Sequence, residues 1–281
     1  MPKINDILFL YVTCSRERTR EIAAIQSSQT VLREMQTNGL MGQFIMFDNA
    51  SSHTGHMEIW PEKTNLLIAS QNIGYWSAIH WVLHNHQNVL GRSFKYIYIM
   101  ESDCLQYDIY KLSSCEKWLD CNPDAGAVRC QEYSRRFWFL YDKKYRWLPF
   151  HKKDSAVAHY NGATQEKINF GSMDGATGIF RTNFHSKLPA VNRTHHMVDV
   201  FSRLALKRHF GEGDFMRECQ EVFQVVGVLD GGTFRAMGNQ PSTKMLTGSY
   251  SNNQELNEIG YMPTRSAQII TEDFEIRPMR P

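Results

Sequence analysis

The chain lacks long apolar runs, a strong net charge, a dense cysteine framework and a glycine-rich phosphate loop, and each absence removes a class of protein. No run approaches the ~18 to 20 apolar residues that cross a bilayer, so no integral membrane segment is expected. The amino terminus, Met1-Pro2-Lys3, leads directly into a strand-like run and shows no signal-peptide pattern. Net charge is only +2, with no Lys/Arg block, which argues against a dedicated nucleic-acid binder. Six cysteines (Cys14, Cys104, Cys115, Cys121, Cys130 and Cys219) contain no Cys-x-x-Cys pair and are too sparse for a disulfide scaffold in a chain of this length. Free thiols in a reducing compartment are expected. The turn after the first apolar run, Thr13-Cys14-Ser15-Arg16-Glu17-Arg18, has no glycine, which excludes the Gly-x-Gly-x-x-Gly turn of dinucleotide oxidoreductases.

What is present points to a folded α/β protein. Aromatic residues make up 12% and charged residues 21% of 281 positions, the composition of a chain that can bury a sizeable core. Ile7 to Val12 reads as a strand, followed by a helix with Ile22, Ile25, Leu32 and Met35 on one stripe, stopping near Asn38-Gly39. Phe44 to Phe47 is a second strand ending on Asp48-Asn49-Ala50-Ser51-Ser52. Leu66 to Ala69 is a third, ending on Ser70-Gln71-Asn72-Ile73-Gly74, and an amphipathic helix follows from Ser77. A fourth strand, Tyr96 to Met100, stops on Glu101-Ser102-Asp103. Right-handed crossovers place all four strand ends at one edge of a mostly parallel sheet. Arg16, Asp48, Asn72, Glu101 and Asp103 then converge where open α/β sheets bind ligands. Two carboxylates there are hard oxygen ligands for Mg2+ or Mn2+.

The series Thr13-Cys14-Ser15-Arg16, Asp48-Asn49-Ala50-Ser51-Ser52, Asn72-Ile73-Gly74 and Glu101-Ser102-Asp103 resembles the amino-terminal half of GT-A fold, family-2-like nucleotide-sugar glycosyltransferases, over roughly residues 5 to 105. The resemblance implies a GT-A (Rossmann-like), mostly parallel sheet flanked by helices, in one domain (1–238) with a C-terminal tail or lid (239–281). Residues 1–105 would be the nucleotide-binding half and 106–238 the acceptor and catalytic half. It also implies a hexosyl- or pentosyltransferase that moves a sugar from a nucleotide-diphosphate donor to a glycan or glycoconjugate acceptor. By the same resemblance Thr13 and Asp48 hold the nucleoside, Asp48 accepting from base or ribose, Asn72 helps orient the nucleotide sugar, and Arg16, Gly74 and Ser102 complete the donor-binding set. Asp103, with Glu101, binds Mn2+ or Mg2+; the family pattern has an aspartate where Glu101 stands. A sequon at Asn49 falls in that site, where a glycan would block it, so the cytosol is the expected location.

Gly175-Ala176-Thr177-Gly178-Ile179-Phe180-Arg181 resembles the family's donor-pocket strand and places Asp174 near the donor sugar. An inverting enzyme needs a carboxylate base at the acceptor hydroxyl. Asp199, opening a helix that carries Phe201, Leu204 and Ala205 and closes at Gly211, offers one; Glu212 and Asp214, opening the next helix, offer two more. All three positions also suit helix capping. Trp138 and Trp147, in an aromatic-rich stretch, suit either a packed hairpin or a sugar-stacking platform. His80 and His84 lie one helical turn apart, but without a Glu between them in the zinc-protease pattern they read as helix-surface residues. Two alternatives stay open: a sugar-1-phosphate nucleotidyltransferase, which the glycine-free first turn disfavours, and a catalytically silent sugar- or nucleotide-binding module.

Overall fold

Apolar runs bounded by polar turns become the strands of one sheet. The computed structural model describes residues 3–132, 159–160, 163–167, 190–210, 212–223, 225–237, 268–271 and 274–279. Its elements are β1 (Ile7–Thr13), α1 (Arg18–Thr37), β2 (Phe44–Asp48), β3 (Asn65–Ala69), α2 (Tyr75–Leu90), β4 (Tyr96–Glu101), β5 (Cys104–Gln106) and α3 (Leu112–Cys121). They continue with β6 (Ala125–Glu132), β7 (His159–Tyr160), β8 (Ala163–Lys167), β9 (Ala190–Arg193), α4 (Thr194–Ala205), α5 (Glu212–Val222), β10 (Val225–Ala236) and β11 (Ile276–Pro278).

The strands run in the order β11-β3-β2-β1-β4-β9-β6-β10-β8-β7, with β5 paired to β10. From β3 through β4 every pairing is parallel. β9 then runs antiparallel between β4 and β6, and β6 pairs parallel with β10. Alternation along β1 sends Leu8, Leu10 and Val12 to the layer of α2, α4 and α5. Ile7, Phe9 and Tyr11 go to the opposite layer, which holds α1 and α3. Because both faces are covered, β1 is buried at every position, the pattern expected of a central parallel strand.

α1 departs from the expected stripe. Ile22 is 47% exposed, while Glu21, Ala24, Ser27, Ser28, Val31 and Met35 face inward. Small residues let the helix approach β4 and β5 closely, and the Ser27 hydroxyl reaches the carbonyls of Cys104 (2.6 Å) and Glu101 (3.4 Å). Polar side chains on the buried face are thus repaid by tertiary hydrogen bonds, which hydrophobic periodicity does not register.

The end of the chain is part of the sheet, since β11 pairs antiparallel with β3 through Ile276↔Ala69 and Pro278↔Leu67. A cavity of about 320 Å³ lined by Leu67, Trp81, Val89 and Ile276 lies beneath this edge, toward the start of β3 and away from its polar end. All six cysteines are free. Among the described residues no helix is long and apolar enough to cross a membrane.

Close packing is tightest at Gly126, where a Cβ would stand 2.0 Å from Cγ of Phe223. Gly126→Ala should therefore destabilise the fold by about 1–3 kcal/mol, the usual cost of overpacking, read as a lowered urea midpoint.

Candidate active site

The candidate site lies at the carboxyl edge of β1 to β4, where the segments that leave β1 and β4 begin. Strand order 3-2-1-4 makes this the topological switch point of the sheet, where a crevice opens. Register brings Thr13 beside Asp48 and Val12 beside Glu101. One ligand atom each from Glu101, Asp103 and Cys104 lies within 4.8 Å of the others. Two half-buried carboxylates and a buried thiol form this group, and Cys104 Sγ donates to Asp103 Oδ1 at 3.3 Å. The group sits on a clamped turn: Ser27 holds its carbonyls from α1, and the Met237 amide donates to the Asp103 carbonyl (2.8 Å). A hard divalent cation fits the two carboxylates. The Tyr75 hydroxyl sits beside this group, and burial first, then the Glu101 charge, raise its pKa well above the ordinary value.

Asp48 is 1% exposed, with both oxygens engaged inside the protein. Oδ1 accepts from the Ser51 amide (2.8 Å) and Oδ2 from the Ser51 hydroxyl (2.6 Å). His56 Nε2 lies 3.1 Å from Oδ2, within hydrogen-bond distance. The Ser51 hydroxyl in turn accepts from the Ser15 amide at 2.7 Å. These bonds hold Ala50 at φ 56°, a left-handed conformation uncommon for a residue with a side chain. A preorganised turn results, and among the described residues the buried hydroxyls of Thr13 and Ser15 and Nε of Arg16 find no hydrogen-bond partner beside it.

The third strand end is tied to the second. Asn72 Oδ1 accepts from Asn49 Nδ2 (2.7 Å) and from the Gly74 amide (2.9 Å), and Asn49 Oδ1 accepts from the Ile73 amide (2.9 Å). Gly74 has φ 83° at the N-cap of α2, a backbone state that glycine enters without strain. Behind the first strand end, buried Glu21 accepts from the Gly55 amide (2.8 Å) and pairs with Arg18. The Gly55 bond, ahead of Arg18, holds its carboxyl below the ordinary value of 4.5. A depressed folded-state pKa stabilises above the unfolded value and loses that contribution as pH falls through the folded one. Glu21→Gln should accordingly flatten the acid limb of the stability profile below pH 4.5, measured by urea unfolding at stepped pH.

The candidate bases separate by position. The Thr194 amide donates to the Lys95 carbonyl, so α4 begins at the opposite, amino edge of β4. Asp199 has climbed about 8 Å by residue count, against about 20 Å from Lys95 to Glu101, and its side chain is exposed. The structure does not bring Asp199 to the crevice. The helix carrying it also begins at Thr194, five residues before the expected start. α5 runs the other way. Phe215 packs on Trp76, next to Tyr75, with ring centroids 4.9 Å apart, whereas Phe223 at its far end stacks on His196. The first turn of α5, with Glu212 and Asp214, is therefore at the crevice level. Asp214 accepts from Arg217 (3.0 Å), with Lys207 at 3.9 Å. Asp174, the 175–181 segment, Trp138 and Trp147 lie outside the described residues. His80 and His84 face each other at 4.5 Å, and His80 is lowered to about 4 by burial and then by His84.

Asn49, His56 and Tyr75 were not assigned roles from sequence. Asn49 stands inside the Asp48-Asn49-Ala50-Ser51-Ser52 motif and was within reach of such a reading; for His56 and Tyr75 no spacing signal exists.

Sheet order, crevice and acidic turn are those of the GT-A fold. That assignment rests on S. aureus TarS residues 1–349 in complex with UDP-GlcNAc, which superposes with TM-score 0.53 at 11% identity over 91% of this chain and 64% of that one. TarS 1–349 in a second structure gives TM-score 0.49 at 12% identity, covering 83% and 60%. Glucosyl-3-phosphoglycerate synthase from Mycobacterium tuberculosis, in complex with Mn2+, UDP and phosphoglyceric acid, gives 0.47 at 10% identity, covering 98% and 87%. The chain thus spans 60 to 64% of the TarS fragment it matches. No protein-family model matches the sequence, and no curated protein does.

Proposed function

We propose that the protein is a glycosyltransferase that moves a sugar from a nucleoside-diphosphate donor to a hydroxyl of a glycan or glycoconjugate, with inversion. The observation that carries this reading is the Glu101, Asp103 pair at the switch-point crevice of a GT-A sheet. Glu101 and Asp103 would hold a Mn2+ or Mg2+ ion, which would supply positive charge against the diphosphate leaving group. The TarS complex binds UDP-GlcNAc on the same fold, which supports a nucleotide sugar as donor.

Within the crevice each residue has a distinct task. Thr13 and Arg16 offer donor groups to the nucleotide, whose backbone-facing contacts are set by the turn that Asp48 holds. With both its oxygens engaged, Asp48 acts by fixing that turn. Asn72 and Gly74 shape the β3 end, and Ser102 spaces the two acidic residues. Asp174 remains part of the proposal on sequence grounds alone. Glu212 or Asp214 takes the acceptor proton as the hydroxyl attacks the anomeric carbon, a transfer that general-base catalysis requires to be within hydrogen-bond reach.

Calorimetric titration of nucleoside diphosphates and nucleotide sugars into the wild-type protein, with Mn2+ and after chelation, tests the reading. One nucleotide should bind tightly and lose at least about tenfold in affinity on chelation. Absence of binding by every nucleotide in both conditions overturns it.

A further inference from the structure

Residues 268–271 and 274–278 meet the donor-site turn at both of its ends. At one end the buried hydroxyl of Ser77 accepts from the Ile270 amide (2.9 Å) and reaches the Gln268 carbonyl (3.5 Å). At the other, the Ser70 amide donates to the Glu275 carbonyl (2.8 Å), and the Glu275 amide donates back to the Ser70 hydroxyl (3.1 Å). β11 then continues this contact down β3. Between Ser70 and Ser77 lies the whole segment that carries Asn72, Gly74 and Tyr75. Ile269 is buried in the core layer of α2, α4 and α5, and Ile270, Phe274 and Ile276 pack against that layer. Four apolar anchors and the hydrogen bonds at two serines are more than a trailing end needs to stay attached.

We infer that the strap formed by residues 268–271 and 274–278 is a positioning element of the donor site that holds the 71–76 turn in its nucleotide-competent shape. The inference rests on the donor-site reading given above. Asn72 is bonded to Asn49 at the end of the neighbouring strand β2, and the Ile73 and Gly74 amides are bonded to Asn49 and Asn72. A turn with one side fixed by Asn49 and the other by the strap has little freedom left. Free the strap side, and the turn's ordering must be supplied on nucleotide binding, which lowers affinity without altering any group that touches the reacting atoms.

The test uses the full-length chain with Ser77→Ala, with Ile270→Pro, which deletes the amide that Ser77 accepts from, and with both. Arg277→Ala, on the exposed side of β11, is the control. Nucleotide affinity is measured by calorimetry, and exchange of the Ile73 and Gly74 amides by hydrogen–deuterium exchange. Each single variant should bind nucleotide about 5- to 30-fold more weakly, the ordinary value of a buried hydrogen bond left half made. The double variant should lose less than the sum of the two single losses, because both remove the Ile270–Ser77 bond. Exchange at Ile73 and Gly74 should quicken in the same variants, turnover at saturating donor should hold, and Arg277→Ala should change nothing. A merely structural bond would lower the unfolding midpoint with nucleotide affinity unchanged, and that result overturns the inference while leaving the glycosyltransferase reading intact. Wild-type protein that binds no nucleotide overturns both.

Discussion

Asp103→Ala should abolish metal-dependent nucleotide binding, lowering affinity in Mn2+ by at least about 100-fold, since even the outer-shell partners of a metal ligand are worth 10- to 100-fold. Binding in chelator, already weak, should stay where it is, so the two titration curves of the variant coincide. The fold should survive, because the protein holds this turn by its main chain: Met237 donates to the Asp103 carbonyl and Ser27 to that of Cys104. The urea midpoint is therefore expected within about 0.5 kcal/mol of wild type, as for substitutions away from buried packing. Glu101→Gln keeps the shape and an acceptor oxygen but removes one charge, so it should show the smaller loss. Equal affinity of wild type and Asp103→Ala in Mn2+ would remove the carboxylate from the metal site.

The acidic turn was legible because its signal is local. An Ile- and Tyr-rich run fully buried on both faces must end where the sheet ends, and the first polar residues after it mark the edge. The same logic located Asp48, the last residue of β2, and Asn72, three residues past the end of β3. What those residues do was less legible. Asp48 was expected to accept from the nucleoside, yet Ser51 and His56 occupy its oxygens, and nothing in the spacing of Asp48 and His56 announces a buried pair across a short 3-10 turn.

Two other departures have one physical source, which is that tertiary contacts decide what periodicity leaves open. In α1 the inward face was read from Ile22 and Ile25, but the neighbouring β4–β5 turn offers bare carbonyls that Ser27 satisfies. Helix rotation follows the hydrogen bonds and close approach rather than the largest side chains. Asp199 was drawn to the site by its place in the chain order. Its height above the sheet depends on β9 running antiparallel to β4, a pairing that four residues, Ala190 to Arg193, do not declare in their sequence.

That same pairing separates the candidate bases and gives the second large effect. Substituting the true base by its amide should lower turnover by about 10²- to 10⁴-fold, the range that general-base catalysis contributes, with nucleotide affinity unchanged. Asp214→Asn and Glu212→Gln are the informative variants, and Asp199→Asn is expected to be silent in both measurements because α4 starts at the far edge. Asn at 214 can still accept from Arg217, so a loss of rate there cannot be charged to a broken helix start. The measurement is a product assay at saturating donor in parallel with calorimetry on the same preparations. A drop confined to Glu212→Gln assigns the base two residues earlier, at the first residue of α5. If neither variant slows the reaction while the wild type turns over, direct inversion by a carboxylate base on α5 is wrong, and the crevice transfers its sugar by another route. If Asp199→Asn alone slows it, α4 must swing toward the carboxyl edge during turnover, which would break the Thr194 to Lys95 hydrogen bond and show as rapid exchange at the Thr194 amide.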